Sequence, residues 1–235
     1  NDFVKRLELV GWVNGARYVN GFREGELLQS YLIEGVVKDS IRRINAQLLS
    51  QFSAVDRDAI VNRAFDELRT ATAENVLEYL RSGVPVSIGV EGRGGWSGRV
   101  MLIDYNDLSN NVFFYLRHPR FMGLSTREPD LLLYINGIPI VIVETKNPTI
   151  LGSHEVAIKQ IRTYERELPG LFGFVQIGVA AGDDEYYTPT LPGSYNAIRN
   201  RYRWIVEGTN NSDVVQLLRP ETLLEFIKYL SLIHI

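Results

Sequence analysis

The 235-residue sequence contains no cysteine. This absence excludes disulfide bonds, thiolate zinc sites and cysteine nucleophiles, and it fits a reducing compartment. No apolar run approaches the roughly 20 residues that a membrane-spanning helix needs, and no signal peptide is visible. We therefore expect a cytoplasmic protein with no membrane partner.

Several catalytic signatures are also missing. The three histidines, at positions 118, 154 and 234, have no metal-ligand spacing such as His-x-x-x-His. No serine lies in a Gly-x-Ser-x-Gly elbow. The glycine-rich stretch from Glu91 to Gly95 lacks the Gly-Lys-Ser/Thr ending of a phosphate loop, so we interpret it as a hairpin turn. We expect no ATP site in this sequence.

The composition that is present describes a folded chain. An apolar share of 45% supports a normal buried core. The net charge of −3 argues mildly against a protein that coats nucleic acid, because phosphate binding draws on clustered Lys and Arg. Basic residues cluster locally, however, at Arg117, His118, Arg120, Arg127, Arg199, Arg201 and Arg203. Each arginine taken singly is as consistent with a solvated loop as with a phosphate contact.

The most informative stretch is a predicted β-hairpin. Two runs rich in Leu, Ile and Val, 131–135 and 138–143, flank Asn136-Gly137, which is a strong hairpin signal. Charged residues occur only at the open end of this hairpin, where Asp130 precedes the first strand and Glu144 and Lys146 end the second. Burying such charges is unfavourable unless they share a metal or a substrate. The pattern therefore predicts a functional site.

The register of the hairpin decides whether these side chains meet. A two-residue Asn-Gly loop would pair Asp130 with Val143 and so put Asp130 and Glu144 on opposite faces, because side chains alternate along a strand. A three-residue loop, with Gly137 left-handed in a bulge, would put Asp130, Glu144 and Lys146 on one face. We predict the three-residue loop.

These residues carry a family resemblance. Pro129-Asp130, the apolar hairpin and Glu144-Thr145-Lys146 resemble the signature of the Pro-Asp…Asp/Glu-x-Lys nuclease superfamily, which has the restriction-endonuclease-like fold. The fuller wording of the hairpin is similar to the N-terminal nuclease domain of the R (restriction and motor) subunit of type I restriction enzymes. In that family the helix after the hairpin carries a Gln-x-x-x-Tyr element, and Gln160 and Tyr164 match it. The likeness covers most of the chain.

The resemblance implies Mg²⁺-dependent hydrolysis of phosphodiester bonds in double-stranded DNA. Asp130 and Glu144 are hard oxygen ligands suited to Mg²⁺, and the backbone carbonyl of Thr145 would complete the set. Lys146 would orient the attacking water or stabilise the developing charge. Gln160 and Tyr164 fall on the inward side of their helix. Gln160 either satisfies a buried backbone group or hydrogen-bonds near the scissile phosphate or an active-site carboxylate.

Further expectations concern binding partners. Arg120, Arg127 and Arg201 are candidate DNA contacts. In the R subunit, cleavage is coupled to an ATP-driven motor C-terminal to the nuclease, so ATP would belong to a part of the parent protein missing here. The resemblance also implies methyltransferase (M) and specificity (S) partner subunits. Two alternatives stay open: a DNA-binding or assembly module without cleavage of its own, and a stand-alone repair-type nuclease.

The predicted fold class is α/β, with a restriction-endonuclease-like mixed β-sheet flanked by helices. We predict one endonuclease-like domain over 1–235, with a mainly helical section at 1–82 and the nuclease core at 83–235, as a fragment of a longer protein. Among the elements, the pattern predicts a helix from Glu24 to about Ile44, a helix from Ser153 to about Leu168, and a long loop over 183–203.

Overall fold

The computed structural model describes residues 2–19, 21–90, 94–189, 201–208 and 212–229. The fold is mixed α/β, with several sheets and flanking helices, which confirms the predicted class. Most of the glycine-rich stretch 91–95 and about half of the predicted loop 183–203 lie outside the described residues. Within the described ranges, no helix has both the length and the apolar character needed to cross a membrane.

The helices and strands of the described residues are numbered in chain order. The helices are α1 Asp2–Leu9, α2 Glu34–Ile44, α3 Ala46–Leu49, α4 Ala54–Arg69, α5 Ala73–Ser82, α6 Ser153–Glu167, α7 Pro169–Phe172, α8 Val214–Leu217 and α9 Pro220–Tyr229. The strands are β1 Val13–Asn14, β2 Leu27–Leu28, β3 Val84–Val90, β4 Gly94–Val100, β5 Phe113–Arg117, β6 Arg120–Met122, β7 Thr126–Arg127, β8 Leu131–Ile135, β9 Ile138–Thr145, β10 Ile177–Ala181 and β11 Glu185–Pro189.

The main sheet has six strands in the order β1-β5-β8-β9-β10-β11. Strand β9 is antiparallel to β8 and parallel to β10, while the edge pairs are parallel between β1 and β5 and antiparallel between β10 and β11. A small sheet joins β2, β6 and β7, and β3 pairs with β4 as a separate ribbon. The predicted hairpin, β8–β9, therefore occupies the centre of the main sheet.

Both faces of the main sheet are covered, which explains why β8 and β9 are apolar almost throughout. One face packs against α6, and Leu132, Ile142, Ala157 and Ile161 belong to this cluster. The opposite face forms the larger core with residues from α1, α2, α4, α5, α8 and α9. Every residue of β8 and all but the last of β9 are buried. The site at the end of this hairpin thus rests on a fully packed support.

Two element predictions were wrong. The helix predicted from Glu24 begins only at Glu34, because Leu27 and Leu28 pair with β6 as strand β2 and Gly25 has a positive φ of 79°. The predicted loop 183–203 contains strand β11, which pairs along the whole of β10. Strand β2 depends on a partner about 90 residues later in the chain, whereas β11 forms a hairpin with the strand just before it.

Candidate active site

The hairpin reaches the predicted arrangement by a different register from the one expected. Ile135 pairs with Ile138, so the loop has two residues, and both Asn136 and Gly137 have positive φ values of 53° and 82°. Positive φ at both positions is what a type I′ turn requires. The predicted three-residue loop with a bulge at Gly137 is therefore wrong.

A bulge does occur, farther along the second strand. Tyr134 pairs with Pro139 whereas Leu133 pairs with Val141, which leaves Ile140 as an extra residue. Ile140 and Val141 both join the core on the face opposite α6, so the alternation of side chains restarts after the bulge. Because of this shift, Glu144 and Lys146 follow Ile142 on the α6 side of the sheet, together with Asp130.

The end of β8 and β9 that carries Asp130, Glu144, Thr145 and Lys146 is called the site edge below. At the site edge, one Asp130 carboxylate oxygen accepts hydrogen bonds from the Thr145 backbone N–H and hydroxyl, both at 2.8 Å. The Asp130 backbone N–H donates to Glu144 Oε1 at 3.1 Å. These bonds fix the two carboxylates side by side.

Glu144 is a fully buried acid, with 0% of its side chain exposed. Burial, followed by the charge of nearby Asp130, raises the pKa of Glu144 from 4.5 to about 7. Lys146 opposes this effect, since its Nζ lies 3.0 Å from Glu144 Oε2 in an ion pair. A quarter of the Lys146 side chain remains exposed to solvent. The ammonium group is thus available both to Glu144 and to a molecule bound at the surface.

Helix α6 contributes a polar connection to this end of the hairpin. The Gln160 side-chain amide donates to the Tyr164 hydroxyl at 2.6 Å, and that hydroxyl donates to the backbone carbonyl of Glu128 at 3.0 Å. Burial, together with the charge of Glu144, raises the pKa of Tyr164, so the phenol stays protonated and keeps its donor. Gln160 therefore acts on a backbone group through Tyr164, and the pair holds the segment that leads into Asp130.

The donor set fits a hard divalent cation. Among the described residues, no group of three or more His, Asp and Glu side chains is arranged to hold a metal ion. Mg²⁺, however, typically takes one or two carboxylates and keeps several waters. Two adjacent acids, one of them with a raised pKa, form a pair whose ionised state a cation would stabilise. The Thr145 N–H points at Asp130. Because the C=O of a strand residue points to the same side as its N–H, the Thr145 carbonyl lies on the Asp130 side of β9 as well.

The three arginines predicted as DNA contacts are all in ion pairs with glutamates. Arg120 Nε lies 3.6 Å from a Glu128 oxygen. Arg127 pairs with Glu167 at the end of α6. Arg201 pairs with Glu155 and lies over the Tyr186 ring, 5.3 Å from its centroid. The three arginines thus have three different glutamate partners, and the partner of Arg120, Glu128, lies in the segment that leads into Asp130.

Sequence reasoning missed two contacts at the site edge. Thr145, predicted only as a metal ligand through its carbonyl, also holds Asp130 through its N–H and its hydroxyl, and its position between Glu144 and Lys146 was the available signal. Glu128 receives the Tyr164 hydrogen bond through its carbonyl. Its place directly before Pro129-Asp130 was the only hint in the sequence, because a backbone acceptor leaves no trace in residue type.

A central mixed sheet with these polar groups at one end defines a nuclease-like α/β protein. The family model described as "Type I restriction enzyme R protein N terminus" matches residues 9–197, which is most of the chain. The chain therefore belongs to the type I restriction enzyme R protein family and corresponds to the N-terminal region of its members, as the sequence resemblance predicted.

Named relatives agree with this family. The chain is 33% identical over 232 residues to a protein of Methanocaldococcus jannaschii named as the MjaVIIIP endonuclease subunit of a type I restriction enzyme, a match that covers 97% of the chain and 22% of the relative. It is 25% identical over 255 residues to the type I restriction enzyme HindI endonuclease subunit of Haemophilus influenzae, covering 97% and 23%. The chain thus spans about a fifth of the length of these relatives.

Proposed function

We propose that this chain is a Mg²⁺-dependent endonuclease module that hydrolyses phosphodiester bonds of double-stranded DNA. The observation that carries the proposal is the convergence of Asp130, Glu144 and Lys146 on one face at the site edge, joined by hydrogen bonds or ion pairs. Membership in the R protein family supports the same reaction, since its relatives are named as endonuclease subunits.

Each residue then has a distinct task. Asp130, Glu144 and the Thr145 carbonyl would hold Mg²⁺. When bound, Mg²⁺ would neutralise charge on the scissile phosphate as a Lewis acid. Lys146, with three N–H donors and a partly exposed side chain, would orient the attacking water or donate to a phosphate oxygen. Tyr164, supported by Gln160, keeps the segment entering Asp130 in place.

The proposal extends to the parent protein. A chain that covers about a fifth of its relatives leaves room for further domains. We propose that an ATP-driven motor follows this module, that methyltransferase (M) and specificity (S) subunits assemble with it, and that the complex works in the cytoplasm. Sequence recognition would then come from the partner subunits, while Arg120, Arg127 and Arg201 would exchange their glutamate partners for DNA phosphates.

Plasmid nicking tests the reaction. The complete assembly, supplied with Mg²⁺ and ATP, should nick supercoiled plasmid, and Lys146→Ala should slow nicking by about 100-fold or more, the loss typical of removing a donor to developing charge. Lys5→Ala is the matched control, because Lys5 is an exposed lysine on α1. Equal nicking by the Lys146→Ala and Lys5→Ala proteins would end the catalytic assignment. Assembly and DNA binding without any nicking by the wild type would instead favour a non-cleaving module.

A further inference from the structure

His118 is a direct neighbour of Asp130 at the site edge. Strands β5 and β8 are antiparallel with Arg117 opposite Leu131. The next residues continue the ladder, since the His118 backbone N–H donates to the Asp130 carbonyl at 3.0 Å. Adjacent strands lie about 5 Å apart. The His118 backbone is therefore one strand spacing from the proposed metal ligand.

The backbone of His118 is held in an unusual conformation. Its φ of 48° places a non-glycine residue in the left-handed region. The His118 carbonyl accepts the Gly25 N–H at 2.8 Å, and the Arg120 N–H donates to the Glu26 carbonyl at 3.0 Å, so the turn is fixed from both sides. Residues in such conformations cluster at functional sites. Since glycine would adopt this turn without strain, the histidine side chain itself requires an explanation.

Two basic side chains converge on one glutamate at this turn. His118 Nδ1 lies 3.6 Å from Glu128 Oε1, and Arg120 Nε lies 3.6 Å from Glu128 Oε2. The side chains of His118, Arg120 and Glu128 are 36%, 46% and 44% exposed. Contacts of this length are too long for direct hydrogen bonds, and exposed ion pairs contribute little to stability. The Glu128 carboxylate is therefore easily displaced.

We propose that His118 and Arg120 form a binding site for a DNA backbone phosphate next to the cleaved bond, and that the Glu128 carboxylate occupies this site when DNA is absent. The inference rests on the proposed nuclease function. A guanidinium and an imidazole N–H suit a phosphate better than a carboxylate that meets each at 3.6 Å. Because Tyr164 holds Glu128 through its backbone, the side chain can move away without releasing Asp130.

The proposal predicts opposite effects for the acid and the two basic residues. Glu128→Gln removes the competing charge and should tighten binding of a short DNA duplex by about two- to fivefold, the scale of an exposed ion pair. Arg120→Gln and His118→Asn should weaken binding by a similar factor, and asparagine keeps the left-handed turn accessible. Arg120→Gln should also lower the slope of log affinity against log salt by about 1.

The experiment measures duplex binding by the full 235-residue chain in EDTA at low salt, so that no cleavage occurs. Glu78→Gln is the matched control, because Glu78 pairs with Arg99 on α5 and β4, outside the site edge, and the variant gains the same charge. Any of three results would overturn the proposal. The Glu128→Gln protein could bind the duplex with the affinity of the Glu78→Gln protein, both basic-residue variants could keep wild-type affinity, or the wild type could fail to bind. Lys146→Ala nicking tests the proposed function separately, because that result does not depend on these binding measurements.

Discussion

A single buried acid controls the electrostatics of the site edge. Glu144 ionises only at a raised pKa of about 7, because burial and the Asp130 charge disfavour its negative form. Without a cation, Glu144 keeps its proton in the folded protein at pH values where it would ionise in the unfolded chain, in which its pKa is about 4.5. The residue suited to bind Mg²⁺ therefore destabilises the metal-free fold at neutral and alkaline pH.

This destabilisation can be measured with Glu144→Gln. Between the unfolded and folded pKa values of Glu144, the unfolded chain has released a proton that the native protein keeps, so wild-type stability falls as pH rises. In EDTA, the free energy of unfolding of Glu144→Gln minus that of wild type should increase by about 3 kcal/mol from about pH 4 to about pH 8, at 1.36 kcal/mol per pKa unit. Urea denaturation at each pH provides the measurement.

Glu78→Gln serves as the control for this pH series, since Glu78 is exposed and paired with Arg99. Its stability difference from wild type should stay nearly constant over the same range. A constant difference for Glu144→Gln as well would show that Glu144 ionises normally in the fold.

Addition of Mg²⁺ at about pH 8 should raise the melting temperature of wild type and leave that of Glu144→Gln almost unchanged.

At the scale of elements, the β8–β9 hairpin depends on its tight turn. Gly137 has a φ of 82°, and a Cβ added there would lie 2.9 Å from the backbone oxygen of Ile33 at the start of α2. The buried Asn136 side chain accepts the Val112 N–H and donates to the Leu102 carbonyl. The turn thus anchors the central hairpin to α2 and to the segment before β5.

Gly137→Ala should destabilise the protein by about 2–3 kcal/mol, because it combines left-handed strain with a clash against backbone. Gly25→Ala is the comparison, since Gly25 has a similar φ of 79° and open space around its Cβ position. That variant should lose only about 1 kcal/mol. Chemical denaturation of both proteins separates the cost of left-handed strain from the cost of the clash with the Ile33 backbone. Equal losses would mean that the turn yields and the clash with Ile33 contributes nothing.

The sequence was sufficient to predict which side chains meet, but not how the backbone brings them together. Asp130, Glu144 and Lys146 were predicted on one face from the position of charges at the end of two apolar strands. The bulge was predicted in the loop because the loop is where sequence signals are strongest. The overlooked signal was Pro139, which cannot donate to a ladder and is typical of bulges and interrupted pairing.

The other misses have the same physical origin. Strand β2 pairs with β6, far away in the sequence, and β11 pairs with β10 across a turn. A two-residue strand and a strand of mixed polar and aromatic residues both have weak local patterns. The Tyr164 bond to a backbone carbonyl was likewise invisible, since any residue could supply that acceptor. Tertiary pairing decided these features.

At the scale of the whole molecule, the main sheet lies between two apolar clusters that draw on both halves of the chain. Residues of α1, α2, α4 and α5 share one core with β8, β9 and β10. Arg6 of α1 adds polar contacts by pairing with Glu185 of β11 and Asp213 beside α8. The mainly helical section 1–82 thus packs as part of the core around the sheet.

This sharing of one core predicts cooperative unfolding. Urea titrations followed by tryptophan fluorescence, which reports on Trp12, Trp96 and Trp204, should give the same midpoint as far-UV circular dichroism. Trp12 is buried in that core, and Trp96 and Trp204 pack against it. Two separated transitions would instead mean that the helical section unfolds independently of the sheet.

The extra residue at Ile140 also bears on how relatives of this chain should be aligned. A protein that lacked only this residue would have a regular ladder behind the same two-residue turn, and its glutamate would still lie opposite its aspartate, because the missing residue and the missing bulge compensate. The number of residues between the two acids can therefore differ by one among relatives without separating them, and an alignment should place that gap at the bulge, not at the turn.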